Sequence, residues 1–308
     1  MPTTASYILL VILVSGTSVG CGRRARPVIP ADTLRQTTPL ESARFEVLDC
    51  PNAVETIASA VNAQGEIVGR YDTSDRRTHG FRLRGENFET FDIPGAEFTM
   101  IRGLNDRGDV VGGWREPGRK ENRGYLLRGA KRTDLEPPGA QSTNAFQVNN
   151  NQDVVGSFVA ADNISRGFFY RDGGYIVLNY PDASLTYATG INNHRDIVGR
   201  WDSADGRQHG FLWRDGRFSP VDVPGATLTL PDAITDQGEI VGLAEFGDGK
   251  AYGFHRSASG VRRIAYPGAV RTVARGINER GDIVGRFQLT DGKGHGYILR
   301  ASTLKGRE

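Results

Sequence analysis

The chain has 308 residues, 40 of them glycine, with 38 basic and 36 acidic side chains and a net charge of +2. Charge so evenly balanced argues against a dedicated nucleic-acid binder, which gathers basic side chains on one face or stripe. Glycine this abundant, without a collagen period, points to many tight turns and close backbone contacts, as an all-β repeat fold requires.

The N-terminal segment stands apart. Met1–Tyr7 is uncharged, Ile8–Val14 is the unbroken apolar run ILLVILV, and Ser15–Gly20 is small and polar before Cys21. The apolar run is too short to span a bilayer as a mature helix and has the length of a signal-peptide core. Residues 1–21 are read as an export signal. Ser18-Val19-Gly20-Cys21 resembles a bacterial lipobox, although that pattern prefers Leu where Ser18 stands. The resemblance implies lipidation of Cys21, an extracellular or cell-envelope location, and membrane attachment through the lipid alone. Ordinary cleavage nearby is the alternative, and it leaves a Cys21–Cys50 bridge open. Residues 22–43, rich in Arg, Pro and Thr, form a polar linker. Gly16-Thr17-Ser18-Val19-Gly20 fits the G-x-S-x-G pattern of serine hydrolases. That motif needs a strand, a sharp turn and a helix, and this copy falls in the leader.

From residue 44 the chain repeats. The motif N-x-x-G-[DE]-[IV]-V-G occurs at Asn62–Gly69, Asn105–Gly112, Asn149–Gly156, Asn192–Gly199, Thr235–Gly242 and Asn278–Gly285, with closing glycines 43 or 44 residues apart. A glycine–aromatic pair recurs in the same register at Gly80-Phe81, Gly124-Tyr125, Gly167-Phe168, Gly210-Phe211, Gly253-Phe254 and Gly296-Tyr297. So does P-x-A-x-x-T, from Pro51–Thr56 to Pro267–Thr272. A period of this length means stacked or circular repeats.

Each repeat reads as four strands. The innermost is short, as in Val273–Ile277, and the others follow as in Asp282–Phe287, Gly296–Arg300 and Arg217–Val223. The N-x-x-G stretch suits a hairpin with a left-handed residue at the glycine. Gln152 and Arg195 stand at that position in the third and fourth repeats, so those turns are expected to carry strain or to shift the left-handed residue to a neighbouring Asn. The two Arg-Gly-Asp tripeptides, from Arg107 and from Arg280, fall in this turn and follow from the repeat grammar. Stretches such as Gly210–Trp213 do not alternate polar and apolar residues, as expected of strands covered on both faces. A small residue precedes the last apolar position of the innermost strand at Ala60, Gly103, Gly190, Ala233 and Gly276, with Gln147 the exception.

The phase of the ends predicts closure. The repeat region begins on an outermost strand, Arg44–Cys50, and ends after a third strand, Gly296–Arg300. The surplus at one end matches the deficit at the other, which a ring explains and an open solenoid does not. The expected architecture is a six-bladed β-propeller over residues 44–300, with Phe45–Leu48 pairing Tyr297–Leu299, and a tail over 301–308.

Ile191-Asn192 with Asp196-Ile197-Val198-Gly199, and His209-Gly210-Phe211-Leu212-Trp213, resemble the HAF-repeat proteins, bacterial extracellular repeat proteins named for a His-Ala-Phe triplet. Gly replaces Ala throughout, and the His is present only at His79, His209 and His295. The resemblance covers roughly residues 44–300. It implies export and a repeat architecture, and no activity.

The three histidines begin third strands, two strands out from the axis and so about 10 Å beyond the inner wall. They are read as structural hydrogen-bonding groups. No H-E-x-x-H, paired-cysteine or EF-hand spacing occurs, so neither metal nor cofactor is expected. Asp49, Asp92 and Asp222, two residues before the repeat proline, are read as local turn bonds. Tyr71, Trp114, Phe158, Trp201 and Phe287 recur two residues beyond the closing glycine, with Ala244 breaking the series. They are read first as packing and second as stacking surfaces for sugars, with Trp114 and Trp201 the candidates.

One residue of each innermost strand should face the channel: Ser59, Arg102, Phe146, Thr189, Asp232 and Arg275. Arg102 and Arg275 flank the first blade, and Arg70 and Arg286 add to them, forming a basic sector suited to an anionic ligand. The leading function is an exported, non-catalytic, monomeric binding scaffold for a carbohydrate, an anionic polymer or a protein at the cell surface. The alternative is a propeller enzyme of lyase, lactonase or glycosidase type with its site in the central channel, Asp232 with Arg275 being the best pair available. A structural or adhesive envelope protein is a third reading.

Overall fold

The computed structural model describes Gln36, Thr37 and residues 45–301. The leader with Cys21, most of the linker and the tail after Ala301 lie outside the described residues.

The described chain is all β apart from turns and connections. In the first repeat, Glu55–Val61 pairs antiparallel with Ile67–Asp72, that strand with Thr78–Arg84, and that with Asn87–Phe91. Residues 98–135, 140–178, 185–220 and 228–264 repeat this order from innermost to outermost strand. The sixth unit has three strands of its own, Arg271–Ile277, Ile283–Gln288 and Gly294–Leu299. Its fourth comes from the other end of the chain: Phe45–Leu48 pairs antiparallel with the third, Phe45 opposite Leu299 and Leu48 opposite Gly296. Each innermost strand lies against the innermost strand of the next unit, and the sixth lies against the first. The arrangement is propeller-type.

Hydrophobic cores form between units rather than inside them. Val68 of the first unit is buried with Ile101, Trp114 and Tyr125 of the second, and Val198 of the fourth with Val241's neighbours Ile240 and Phe254 of the fifth. Each sheet is therefore covered on both faces, which is why its inner strands read as apolar runs without alternation.

Two of the sequence motifs are one packing device. At Gly199, a Cβ would stand 2.0 Å from the carbonyl oxygen of Tyr187 and 2.5 Å from the ring of Phe211. The aromatic residue of the third strand thus lies over the bare backbone of the second. The third motif acts at the unit boundary. Its threonine hydroxyl accepts the backbone N–H six residues upstream, as in Cys50 to Thr56, Ile93 to Thr99 and Val223 to Thr229. At Thr143 the residue six upstream is Pro137, which has no N–H to give.

Around the axis the turn asparagines form a belt. Asn149 Oδ1 accepts the N–H groups of Asn151 and Asp153, and its Nδ2 donates to Asn192 O of the next unit at 3.0 Å. Asn105, Asn192 and Asn278 make the same forward bond, the last of them to Asn62 O of the first unit. Held this way, Gln152 and Arg195 themselves take the left-handed conformation, with φ of 66° and 67°. The shift to a neighbouring Asn does not occur.

Strand ends in the sixth unit differ from the sequence reading by one or two residues, and two larger differences stand out. The outer strand of the fourth unit ends at Pro220, short of Val223, where the ring removes a ladder donor. Gln36 and Thr37, placed in the linker by composition, pair in parallel with Val261 and Arg262 on the outer edge of the fifth unit.

Candidate functional site

In every innermost strand the pairing slips by one residue, and the slipped residue is Ser59, Arg102, Phe146, Thr189, Asp232 or Arg275. A β-bulge leaves its extra residue outside the ladder and re-aims its side chain. The small residue that follows makes room for the neighbouring strand. A Cβ on Gly276 would meet the Ala60 backbone at 2.9 Å. Six bulges at equivalent positions therefore turn six side chains of five kinds toward one axis.

Three of them form an ionic bridge. Arg275 Nη1 donates to Asp232 Oδ1 at 3.1 Å and lies 3.3 Å from Oδ2. Arg102 Nη2 stands 3.5 Å from the same Oδ1. The fifth unit neighbours the sixth and faces the second across the axis, so Arg102 spans the channel to reach Asp232. Its guanidinium also lies 5.2 Å from the Phe146 ring centroid, a cation–π contact. Burial, reinforced by the Arg275 charge and opposed by Asp232, pushes Arg102 down to about 10. It is still a cation at neutral pH.

Arg70 and Arg286 sit nearer the loops that join second to third strands. Arg286 donates a short hydrogen bond to Glu55, and Arg70 lies 3.7 Å from the same carboxylate. Arg70 also donates to Asp72 at 3.0 Å. Burial lowers the Arg286 pKa, Glu55 opposes the shift, and Arg275 adds to it. Four guanidiniums thus share three carboxylates. Several donors are left over: Arg102, Arg275 and Arg286 each hold a buried Nε without a partner, as does the hydroxyl of Ser59, a residue 4% exposed. A buried donor without an acceptor costs on the order of 1–3 kcal/mol.

Beyond Arg102 the wall turns aromatic. Phe146 and Tyr187 lie 6.2 Å apart by ring centroid, both half-buried, and Arg200 covers Tyr187 at 4.5 Å. The sixth, first and second units contribute the arginines, and the third and fourth contribute two aromatic rings, each with a guanidinium over it.

The structure brings Arg70, Arg102, Asp232, Arg275 and Arg286 into this one region. It keeps Trp114 and Trp201 out of it. Trp114 packs outward beneath Arg132 and Arg123, at 4.8 and 5.8 Å. Trp201 is engaged by Tyr180 at 4.1 Å and His209 at 4.7 Å, both stacked. Glu55, which the sequence reading does not single out, holds two of the arginines.

One assignment needs correction. Asp49, Asp92 and Asp222 do not bond their own turns. Each meets a third-strand histidine: His79 with Asp92 at 2.8 Å, His209 with Asp222 at 3.1 Å and His295 with Asp49 at 2.9 Å. Each imidazole is also stacked on the aromatic residue of the second strand, Tyr71, Trp201 or Phe287. The signal was present, since the three repeats with His are those with Asp.

The far end of the channel has another character. Asp106, Asn150, Asn193, Asp236 and Glu279 accept, through their side chains, a backbone N–H from the preceding unit at 2.7–2.9 Å. The chain of bonds stops at Ala63, which has no acceptor. Burial raises the Glu279 pKa, with Asp236 and Asp106 adding to it.

Fold and axis together define an all-β, propeller-type protein. No family model and no curated protein matches the sequence. Solved structures match the fold. AofleA from Arthrobotrys oligospora aligns with a TM-score of 0.57 at 14% identity, covering 89% of this chain and 92% of that one. The β-propeller domain of the Trilobed protease from Pyrococcus furiosus aligns at 0.49 and 9% identity, covering 82% and 96%. The six-bladed fungal lectin of Aleuria aurantia aligns at 0.44 and 13%, covering 68% and 77%. Identities this low speak to fold alone, and the last two likenesses are too remote to carry any argument.

Proposed function

We propose that the chain is an exported six-bladed β-propeller, closed by its own N-terminal strand, that acts without catalysis as a monomeric cell-surface binder of an acidic polysaccharide. One observation carries the binding reading: the channel sets four guanidiniums, with donors to spare, against an aromatic wall of Phe146 and Tyr187. Guanidinium forks match carboxylates, and aromatic faces suit the apolar faces of sugar rings. The non-catalytic reading is supported at Asp232, whose carboxylate is engaged by two arginines. The pairing of Phe45–Leu48 with the last unit supports closure in a ring of six. Export to the cell envelope, with Cys21 as lipid anchor and HAF-type repeats, is supported by the Ile8–Val14 run and the residues before Cys21.

The test is a binding array of polygalacturonate, other acidic glycans and their neutral counterparts, with release of products monitored. Wild-type protein should retain the acidic glycans alone, and Arg102→Ala with Arg275→Ala should lose them. Equal retention of neutral glycans, undiminished binding by the double variant, or released oligosaccharides would each contradict the proposal.

A further inference from the structure

Asp232 is the one acid among the six bulged residues, and it lies between the two basic ones. Its two contacts are unequal. Arg275, from the adjacent unit, reaches both carboxylate oxygens at 3.1 and 3.3 Å, whereas Arg102 crosses the channel to one of them at 3.5 Å. Two guanidinium forks thus share a carboxylate that only one of them engages closely. The Nε groups of both arginines and the Ser59 hydroxyl have no acceptor. Two of these three groups can only donate and the hydroxyl can do either, so the chemistry this cluster lacks is an acceptor such as a second planar anion.

We propose that Asp232 is an internal stand-in for the ligand's carboxylate, holding Arg102 across the channel and yielding it to the uronate carboxylate of an entering glycan. This rests on the acidic-polysaccharide reading above and adds to it the group recognised and the contact that must break. The resident acceptor is singly charged and planar, and a guanidinium that fits it fits a sugar carboxylate in the same way. Arg102 can turn to that group without leaving the Phe146 ring, which lies on its own side of the axis. Exchange of one carboxylate for another keeps the number of ion pairs constant. A neutral sugar offers no such exchange and leaves the bridge shut. The depressed Arg102 pKa agrees with a guanidinium that is buried and underpaired.

A bridge that only neutralises buried charge predicts something different. In both cases Asp232→Asn destabilises the fold, because removing one partner leaves buried charge uncompensated. Only an internal competitor makes that variant a better binder. Trigalacturonate is the probe, titrated by calorimetry into the full chain and its Asp232→Asn variant, with the trimethyl ester as the uncharged control. Asp232→Asn should bind trigalacturonate about tenfold more tightly than wild type, the gain of one released charge-assisted contact. The ester should bind neither.

Equal or weaker binding by Asp232→Asn, with wild type binding normally, overturns the stand-in role and leaves the polysaccharide reading intact. Failure of both proteins to bind overturns both. If the variant does not fold, a crystal structure of wild type with trigalacturonate decides. Arg102 should then lie within hydrogen-bond distance of a ligand carboxylate and have left Asp232. An unmoved Arg102–Asp232 contact overturns the proposal.

Discussion

His295 Nδ1 lies 2.9 Å from Asp49 Oδ2, joining residues 246 positions apart in the chain. In the first and fourth units the same pairing is local, between residues 13 apart. The sixth unit thus reproduces with a distant segment what the others make from their own. The ion pair does not hold that segment by itself. Asp49 is 47% exposed, and a pair so open to solvent contributes at most about 1 kcal/mol. Burial does more: Phe45 packs edge-on against Tyr266 and Tyr297 at 5.2 and 5.1 Å, and Cys50 is buried in the next core. Asp49→Asn should therefore lower unfolding free energy by about 1 kcal/mol or less. Deleting residues 45–50 should abolish the cooperative urea transition or cause aggregation, because it bares the edge of Gly294–Leu299. A truncated chain that unfolds like wild type would refute closure by this strand.

The asparagine belt has a natural gap that can be filled. Asn149 is 4% exposed and makes three bonds to its own turn and one to the next unit. Asn149→Ala would strand the buried N–H of Asp153 and the Asn192 carbonyl and should cost roughly 2–4 kcal/mol in denaturant unfolding. At Thr235 the hydroxyl accepts only the Glu239 N–H at 3.1 Å and cannot reach forward to Asn278. Thr235→Asn should supply the forward bond to Asn278 O and raise stability by about 1 kcal/mol. A loss of stability in Thr235→Asn would show that the belt is not a unit-to-unit tie.

Much of this was legible in the sequence, because repetition exposes what position demands. Three motifs in one register give the strand order, and the phase of Arg44–Cys50 against Gly296–Arg300 points to the pairing of the two ends. Five of the bulged positions are marked by the small residue after them, and the repeat register supplies the sixth, Phe146 before Gln147, so Ser59, Arg102, Phe146, Thr189, Asp232 and Arg275 can be assigned to the axis. The Arg102–Asp232 contact is not legible, since it depends on the reach of one long side chain across a channel whose width no motif states. Glu55 is hidden for a related reason. Its equivalents are Phe98, Ser142, Leu185, Leu228 and Arg271, so the repeat assigns it no role, and its meaning comes from Arg286 and Arg70 beside it. The histidine–aspartate pairs are hard to read from local turn chemistry, because each aspartate's partner lies one strand away.

The closing glycine of the first motif should tolerate nothing larger. A Cβ at Gly199 would sit 2.0 Å from the Tyr187 carbonyl, a backbone atom held in the ladder, and 2.5 Å from Phe211, which is fully buried. Neither neighbour can yield without disturbing the core between the third and fourth units. Gly199→Ala should destabilise by about 3 kcal/mol or more, at the upper end of overpacking effects. Gly247→Ala is the control, because no atom lies within 4 Å of its Cβ position. It should change stability by no more than about 0.5 kcal/mol. Similar melting curves for the two variants would remove the packing explanation of the motif.

Cys50 gives the closing strand a pH signature. Burial pushes its thiol up from 9.0 to about 12, against a hydrogen bond with Thr56 and with the Asp49 charge adding to the rise. The folded chain therefore keeps a proton that the unfolded chain begins to lose near pH 9. Between those values the unfolded state binds fewer protons, so stability falls as pH rises, by up to about 1.4 kcal/mol per pH unit from this group. The contribution is whole below pH 9 and gone once pH passes about 12. Other groups titrate in that window, among them Tyr125 and Tyr297, whose burial also raises their pKa. The difference between wild type and Cys50→Ala isolates the thiol. Urea midpoints of the two proteins should differ by a constant below pH 9 and converge above it, as wild type alone loses the cysteine contribution. The same burial should leave Cys50 unreactive toward a thiol reagent at pH 8 until denaturant opens the sixth unit. Midpoints that run parallel to pH 11, with rapid labelling in the native state, would show that Cys50 is exposed and that the strand before it does not stay in place.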